Sequence, residues 1–311
     1  MSYQFQKNRI KLNQLENRAK GEIPGSIFFV SSVTGSAGYP GTSDELPLAT
    51  IDAAINKCTA NKGDVIYVLP GHAETIAAAA GIDADVAGIS IIGLGSGSLK
   101  PTITLGTATT ADIDIDAANI TFKNLRFVSD INDLAVVLDV NEDYFTCIDC
   151  DFVSSSTKEC INYVNIATTK DNFVFKGCKF YQPTDPDGTD GNAATGCFYF
   201  VDSEELFFED CYFYGFFETS IFHNKTTAAK NVWVRNCFGT QLLSTGEVFT
   251  QVAAMQGGVQ NSMFIIPNAD DVSEAKTWGT LSDKFFVDVN SCVGNDGANG
   301  QLAVAGTAVA S

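Results

Sequence analysis

Four aspartates in the middle of the chain have the residue type and spacing that cleavage of a glycosidic bond would require. A glycosidase needs two carboxylates that face each other across a groove, roughly 5–10 Å apart. The loop QPTDPDGTDGNAATG, at 182–196, carries three carboxylates close together, and a fourth follows in the next segment. The catalytic candidates are therefore Asp185, Asp187, Asp190 and Asp202.

The same loop could hold a calcium ion instead. Asp185, Asp187 and Asp190 occupy the first, third and sixth positions of a run that has Gly188 at the fourth, which resembles a calcium-binding loop. The run lacks the distal bidentate glutamate of an EF-hand, and a solvated acidic turn is the other interpretation. We expect no resident cofactor.

Other catalytic chemistry has few residues to draw on. His72 and His223 are the two histidines of the chain, and the sequence assembles no convincing histidine-based triad or zinc site around them. Cys147 and Cys150 form a lone CxxC without a second pair. We therefore expect a protein that is not an enzyme; if it is one, it is a polysaccharide lyase or a glycoside hydrolase.

Two arginines and two tyrosines should lie on the surface of the predicted strands. Arg126 and Arg235 stand next to turn positions, where surface ion pairs with the acidic neighbours Asp149, Asp151 and Asp210 are expected. Tyr212 and Tyr214 alternate with apolar residues in a run of mostly buried aromatics, so their side chains should point outward. There they would contact a glycan or a sister subunit.

The chain is strongly acidic, and its charge is unevenly distributed. The net charge is −18, whereas residues 1–22 hold five basic residues against Glu16 and Glu22, a net charge of +3, which leaves −21 for the rest. An acidic body repels phosphates, so we expect no nucleic-acid binding. A basic segment suits an acidic partner, although a solvated helix end is equally consistent. The basic residues are Lys7, Arg9, Lys11, Arg18 and Lys20.

The sequence contains no apolar run of 18 residues and no apolar segment of the signal-peptide type near its start. We therefore expect neither a membrane span nor a secretion signal. The nine cysteines should be reduced and mostly buried.

An internal repeat predicts the elements that position these residues. Each copy is a strand, one turn residue and a second strand, from ISIIGLGS (89–96) and ITFKNLRF (120–127) through to GGVQNSMF (257–264). The turn residue is always Gly, Asn or Asp, the types that tolerate a left-handed backbone. These turn positions are Gly93, Asn124, Asp149, Gly177, Asp210, Asn236 and Asn261.

A third strand follows in most copies, at 134–140, 160–166, 197–203, 220–224 and 247–253. Three strands in about 25 residues form one coil of a parallel β-helix. Four of the residues that directly follow the turns are cysteines, and these should form an interior column of free thiols: Cys150, Cys178, Cys211 and Cys237. The predicted fold is all-β: a single-stranded right-handed parallel β-helix with an N-terminal capping α-helix and a basic N-terminal arm.

Three regions are expected along the chain. Residues 1–25 would be an anchoring arm, 26–266 the β-helix with its capping helix at about 47–60, and 267–311 a C-terminal cap or tail. Pro47 suits the first turn of the helix, and Leu48, Ile51 and Ile55 recur at helical spacing.

The order of parts resembles the pectate-lyase-like right-handed parallel β-helix superfamily. PLATIDAAINKC resembles its N-terminal cap, GDVIYVLPG and GISIIGLGS its first coils, and the turn positions its asparagine ladder. Gly188-Thr189-Asp190-Gly191 is similar to part of the polygalacturonase motif, but the rest of that pattern is missing. The fold hosts lyases, hydrolases and inert structural proteins, so it does not settle the activity.

A basic arm joined to a β-helix body looks like a bacteriophage virion protein. The resemblance implies a structural protein, most simply a capsid decoration protein (cement or head fibre), located in the virion after assembly in the host cytoplasm. Its partners would be the major capsid protein or other virion proteins, in a homotrimer, with a host surface glycan as a further partner. A tailspike-like polysaccharide depolymerase or a glycan-binding fibre protein is the alternative.

Overall fold

Short strands with alternating burial make up most of the described chain. The computed structural model describes residues 25–155, 158–182, 194–242, 246–251, 255–265, 281, 284–287 and 293–294. In Thr102–Leu105 and Asp151–Ser154, every second side chain is buried and those between are partly exposed. Because a lone strand cannot bury its apolar face, such strands need partners around a shared interior.

The strands stack into three parallel sheets of ten, nine and seven strands. The first sheet contains Ile27–Val30, Val65–Val68, Ser90–Gly93, Thr121–Lys123, Thr146–Ile148, Phe173–Lys176, Glu204–Glu209, Lys230–Arg235, Gly257–Gln260 and Phe285–Val287. The second contains Ala73–Ile76, Thr102–Leu105, Arg126–Ser129, Asp151–Ser154, Lys179–Gln182, Tyr212–Gly215, Phe238–Gln241, Met263–Ile265 and Val293–Gly294. The third contains Ile82–Asp83, Ile113–Ile115, Leu134–Val140, Cys160–Ile166, Ala194–Phe200, Phe217–Asn224 and Glu247–Gln251.

Each strand pairs with the strand that lies one coil away, and from Val65–Val68 onward consecutive strands along the chain belong to different sheets. The chain is therefore a parallel β-solenoid of the right-handed type, as the repeat predicts. Strands Phe285–Val287 and Val293–Gly294 extend the first and second sheets beyond residue 266.

Helical structure is nearly absent from the described residues. One α-helix, Ile51–Ile55, lies inside the stretch predicted to form a capping helix at about 47–60, and a 3₁₀ turn covers Gly97–Leu99. The α-helix starts late because Leu48 pairs with Val30 as an extended residue, and the Thr50 hydroxyl then accepts the N-cap hydrogen bond from the Ala53 amide. Its role as a cap stays a prediction, and the arm lies outside the described residues.

The sharp bend between the first and second sheets has the predicted left-handed residue in six of its seven predicted positions. The φ angles of Asn124, Asp149, Gly177, Asp210, Asn236 and Asn261 lie between 47° and 65°. Gly93 is the exception and the prediction there is wrong, because Gly93 ends a strand and the positive φ falls on Gly95 and Gly97 instead. The Asn124 amide Nδ2 donates to the Gly93 and Gly95 carbonyls, at 2.8 and 3.0 Å.

A second column of left-handed residues, which the sequence analysis missed, lies where the third sheet leads into the first. Each residue directly precedes a buried apolar residue, such as Ile120 or Phe145. We call it the second turn column, and it consists of Gly88, Asn119, Tyr144, Asn172, Glu205 and Asn231.

The interior is filled by stacked aromatic rings and thiols. Phe180 stacks on Phe152 and on Phe213, with ring centroids 4.6 and 5.2 Å apart. The predicted thiol column is confirmed, since its four cysteines are free and buried. Cys178 Sγ donates to the Cys147 carbonyl of the preceding coil at 3.4 Å. The thiols therefore serve as small interior donors to backbone carbonyls.

Candidate functional site

The outer face of the third sheet carries a column of polar side chains that the sequence analysis did not find. Seven residues share one register position, one on each strand: Asp83, Asp114, Asp139, Asn165, Tyr199, His223 and Thr250. We call this the polar column. Neighbouring rungs of a sheet are about 4.8 Å apart, so the column presents one polar group per rung along the solenoid.

Three carboxylates stand together at one end of the polar column. Burial, together with the charges of Asp112, Asp116, Asp139 and Asp83, raises the pKa of Asp114 to about 7. A carboxyl that holds its proton near neutral pH, close to other carboxyl groups, can serve as the acid of an acid–base pair.

Asp83 and Asp139 are the neighbours of Asp114 on the adjacent rungs. Burial raises the pKa of Asp83 and of Asp139 as well. The Asn165 amide Nδ2 donates to Asp139 Oδ1 at 2.7 Å, which favours the ionised form of Asp139. Among the described residues, no three His, Cys, Asp or Glu side chains are placed to hold a metal ion.

The other end of the polar column is aromatic. The rings of Tyr199 and His223 meet edge to face with centroids 5.5 Å apart, and Lys225 Nζ lies 5.2 Å from the Tyr199 ring centroid. Burial, then the charge of Lys225, lowers the pKa of His223, so its imidazole is neutral at pH 7. His223 is three rungs from Asp139, about 14 Å, too far for direct proton transfer.

The other histidine, His72, is buried in a structural contact. Its Nδ1 accepts from the Ser32 amide at 2.9 Å, and its Nε2 lies 3.1 Å from Glu74 Oε2. Glu74 also accepts from the Ile51 amide at the start of the helix. His72 thus joins the helix to the first coils, as expected of a structural histidine.

The outer face of the second sheet holds the tyrosines proposed for glycan or subunit contact. Tyr214 stacks on Tyr181 with centroids 5.2 Å apart, and Tyr212 stacks on Phe238 at 5.6 Å. Both tyrosines are partly exposed. A surface cavity of about 330 Å³ opens beside them, and it is lined by Arg126, Asp151, Val153, Lys179, Tyr181 and Tyr212.

The arginines named in the sequence analysis have different partners. Arg126 Nη2 lies 3.4 Å from Asp151 Oδ2, the expected ion pair, and Lys100 Nζ approaches the same oxygen at 3.0 Å. Arg235 stacks over the Trp233 ring at 5.1 Å instead of pairing with Asp210. Neither arginine lies beside the polar column.

The predicted catalytic loop lies largely outside the described residues. Asp185, Asp187 and Asp190 are among the residues that the structure does not describe, as are the basic residues of the arm. Asp202 lies at a bend with φ 53°, between the third-sheet strand Ala194–Phe200 and the first-sheet strand Glu204–Glu209, and is not part of the polar column.

The sequence did contain a signal for the three aspartates. Asp83, Asp114 and Asp139 each follow an aliphatic residue, in ID, ID and LD. Their spacings of 31 and 25 residues equal the first two spacings of the predicted turn positions. A search for polar residues at the repeat's own spacing would have found them.

Side-chain contacts also connect successive coils along the outside of the solenoid. Asn236 Nδ2 donates to Asp210 Oδ1 at 3.2 Å, and Asn261 Nδ2 donates to Asn236 Oδ1 at 2.7 Å. The ion pairs Lys170–Glu142, Lys176–Glu209 and Lys230–Glu204 each link two adjacent coils. None of the helices in the described part of the chain has the length and apolarity to cross a membrane.

Comparison with known proteins shows the fold but no family. No family model matches the sequence, and no curated protein matches it. Among solved structures, a rhamnogalacturonan lyase superposes with a TM-score of 0.56 at 14% identity, over 78% of this chain and 69% of the lyase. That likeness shows the parallel β-helix fold alone, because one fold hosts many activities.

Two more distant solved structures were also found. "Geobacillus virus E2 - ORF18" has a TM-score of 0.39 at 14% identity, over 94% of this chain and 64% of that one. A GH136 lacto-N-biosidase from Eubacterium ramulus has a TM-score of 0.39 at 11% identity, over 92% of this chain and 70% of that one.

Proposed function

We propose that this chain is a structural protein of a bacteriophage particle, with the β-solenoid as its rigid body. The observation that carries the proposal is that contacts join each coil to the next both outside and inside the solenoid. On the outside these contacts are side-chain amide hydrogen bonds and ion pairs, and in the interior they are stacked aromatic rings and thiol hydrogen bonds. In a solenoid, stability is the sum of such neighbour contacts, so this pattern suits a stiff spacer.

Within the particle, a capsid decoration protein is the role we favour. Residues 1–25 would be the anchor on the major capsid protein or another virion protein, because their basic charge suits an acidic partner. Three copies would assemble side by side.

The test is to locate the chain in purified particles by mass spectrometry and then in a particle reconstruction. We expect stoichiometric amounts on the capsid surface, with the N-terminal segment at the contact. A full-length variant with Lys7, Arg9 and Lys11 changed to Glu should fail to bind particles that lack the protein. Absence of the chain from particles, or its place at the tail, would contradict capsid decoration.

A second candidate function, polysaccharide cleavage, is favoured by the acidic end of the polar column. Carboxylates on adjacent rungs are about 5 Å apart, the separation that retaining glycosidases use. Asp114, with its pKa of about 7, would donate a proton to the glycosidic oxygen as the glycosidic bond breaks, and Asp139, whose ionised form the Asn165 hydrogen bond favours, would stabilise or attack the anomeric carbon. Water would then take the place of the leaving group on the sugar.

This second candidate is tested by incubating the protein with host surface polysaccharides and measuring new reducing ends. Asp114→Asn should abolish release, whereas Asp133→Asn, at an exposed loop position, should leave it unchanged. Equal rates for Asp114→Asn and the unmodified protein would exclude this site, and the absence of any release would exclude the activity.

A further inference from the structure

Tyr144 is an unusual residue for the position it occupies. It belongs to the second turn column and has a φ of 61°, a conformation in which a bulky side chain is disfavoured. Gly88, Asn119, Asn172 and Asn231 are the residue types that suit such turns. Strained residues of this kind persist where something else requires them, and they cluster at functional sites.

The turn does not need a tyrosine to hold its shape. The Tyr144 amide donates to the Asp171 carbonyl of the next coil at 3.0 Å, as the Asn119 amide does to Asp143 and the Asn172 amide to Glu204. These are backbone bonds that any residue can make. The Tyr144 side chain is 52% exposed, so it does not fill the core either.

The exposed ring borders a groove on the outer face of the first sheet. The groove has a volume of about 330 Å³. One wall is the second turn column, with Asn119, Tyr144 and Asn172; the floor is a register column of the first sheet, with Thr121, Thr146, Val174 and Phe207. Both columns repeat once per coil, so the groove runs along the solenoid axis.

The polar groups of the groove are uncharged and available. Within the described residues, the side chains of Asn119, Thr121, Thr146 and Asn172 make no hydrogen bond, although each can donate and accept. None of the lining side chains is charged. The groove thus offers amides, hydroxyls and two aromatic rings, in a chain whose charge of −18 disfavours anionic ligands.

We propose that this groove binds a neutral saccharide chain that lies along the solenoid axis and stacks one sugar ring on Tyr144. A sugar has the matching chemistry, with an apolar face for the rings and hydroxyls for the amides and threonines. The site is separate from the polar column, and the inference does not depend on cleavage there or on the place of the chain in a particle.

The test uses the exchange Tyr144→Asn, which removes the ring and relieves the backbone. Isothermal titration with maltohexaose, cellohexaose and the hexamer of N-acetylglucosamine should show binding of at least one by the unmodified protein. Tyr144→Asn should weaken that binding about tenfold or more, as expected for the loss of an aromatic contact. Its melting temperature should stay the same or rise, so that lost binding cannot be ascribed to unfolding.

Two matched variants complete the experiment. Tyr39→Asn makes the same exchange at an exposed loop tyrosine and should bind normally, whereas Thr146→Val removes one groove hydroxyl at constant size and should bind more weakly. Asp114→Asn should bind normally, which separates this site from the polar column. The proposal is overturned if none of the three oligosaccharides binds, or if Tyr144→Asn binds as tightly as the unmodified protein.

Discussion

Asp114 lies opposite Asp139 in the register of the third sheet, so two carboxylates occupy adjacent rungs of one partly buried column. Two like charges at this spacing repel each other, and burial penalises both. Asp114 in the folded sheet therefore keeps its proton in a pH range, from about 4 to about 7, in which the unfolded chain would release it.

This proton makes stability depend on pH in a defined direction. The pKa of Asp114 is raised from 3.8 to about 7, so between these values the folded chain binds more protons than the unfolded chain. The contribution of protonated Asp114 to the free energy of unfolding is therefore fully present below pH 4 and is lost as the pH rises to about 7. Asp114→Asn should stabilise the protein at pH 8 by about 1 kcal/mol, after allowance for solvent screening. Urea unfolding at pH 5 and pH 8 measures this, with Asp133→Asn as the control.

The bend at Asn124 should be sensitive to substitution. Asn124→Ala places alanine, which disfavours the left-handed region more than asparagine does, at a φ of 54°. It also removes the two side-chain hydrogen bonds to the Gly93 and Gly95 carbonyls. We expect a loss of about 2–3 kcal/mol in the free energy of unfolding. Asn124→Gly should lose less, because it keeps the conformation. Equal stability of the alanine variant and the unmodified protein in urea would refute this account of the bend.

The aromatic stack should tolerate little truncation. Phe180 is fully buried between Phe152 and Phe213, and Phe180→Ala should cost about 3–5 kcal/mol. The next residue, Tyr181, faces outward and is 39% exposed, so Tyr181→Ala should cost less than about 1 kcal/mol. Chemical denaturation of the two variants compares one strand's inner and outer faces; similar losses would mean that the assignment of faces is wrong.

The thiol column and the neighbouring buried thiol of Cys147 should be chemically inert in the folded protein. All five side chains are buried, which keeps a reagent away from the sulfur atoms. Burial also raises the pKa of Cys147 and of Cys211 well above the usual range, and thiolate is the reactive form. An aromatic disulfide reagent should therefore leave Cys147, Cys150, Cys178, Cys211 and Cys237 unlabelled until urea is added. Peptide mapping identifies the labelled residues. Rapid labelling of any of the five in the native protein would show that the column opens.

The sequence predicted the fold because the first bend uses residue types with a physical reason to be there. Asn124, Asp149 and Asn236 tolerate a left-handed backbone, and they recur at the repeat spacing with apolar neighbours. Gly93 fitted the same pattern but is extended, because glycine permits a left-handed φ without requiring it.

The surface sites were harder to predict. The second turn column was missed because Tyr144 and Glu205 are not residues that indicate a turn. Asp83, Asp114 and Asp139 each look like an isolated outward residue in its own strand, and only the register of the third sheet brings them into one column. A search confined to acidic loops favoured 182–196 instead.

The pairing of every coil with only its neighbours also bears on how this protein could change in length. A whole coil of about 25–33 residues could be gained or lost without altering any contact except those at the new junction, because no strand in the described sheets pairs beyond the adjacent coil. Each such step would lengthen or shorten the body by about 4.8 Å. Evolution could therefore change the length of this protein in steps of one coil, while the surface of the remaining coils stays the same.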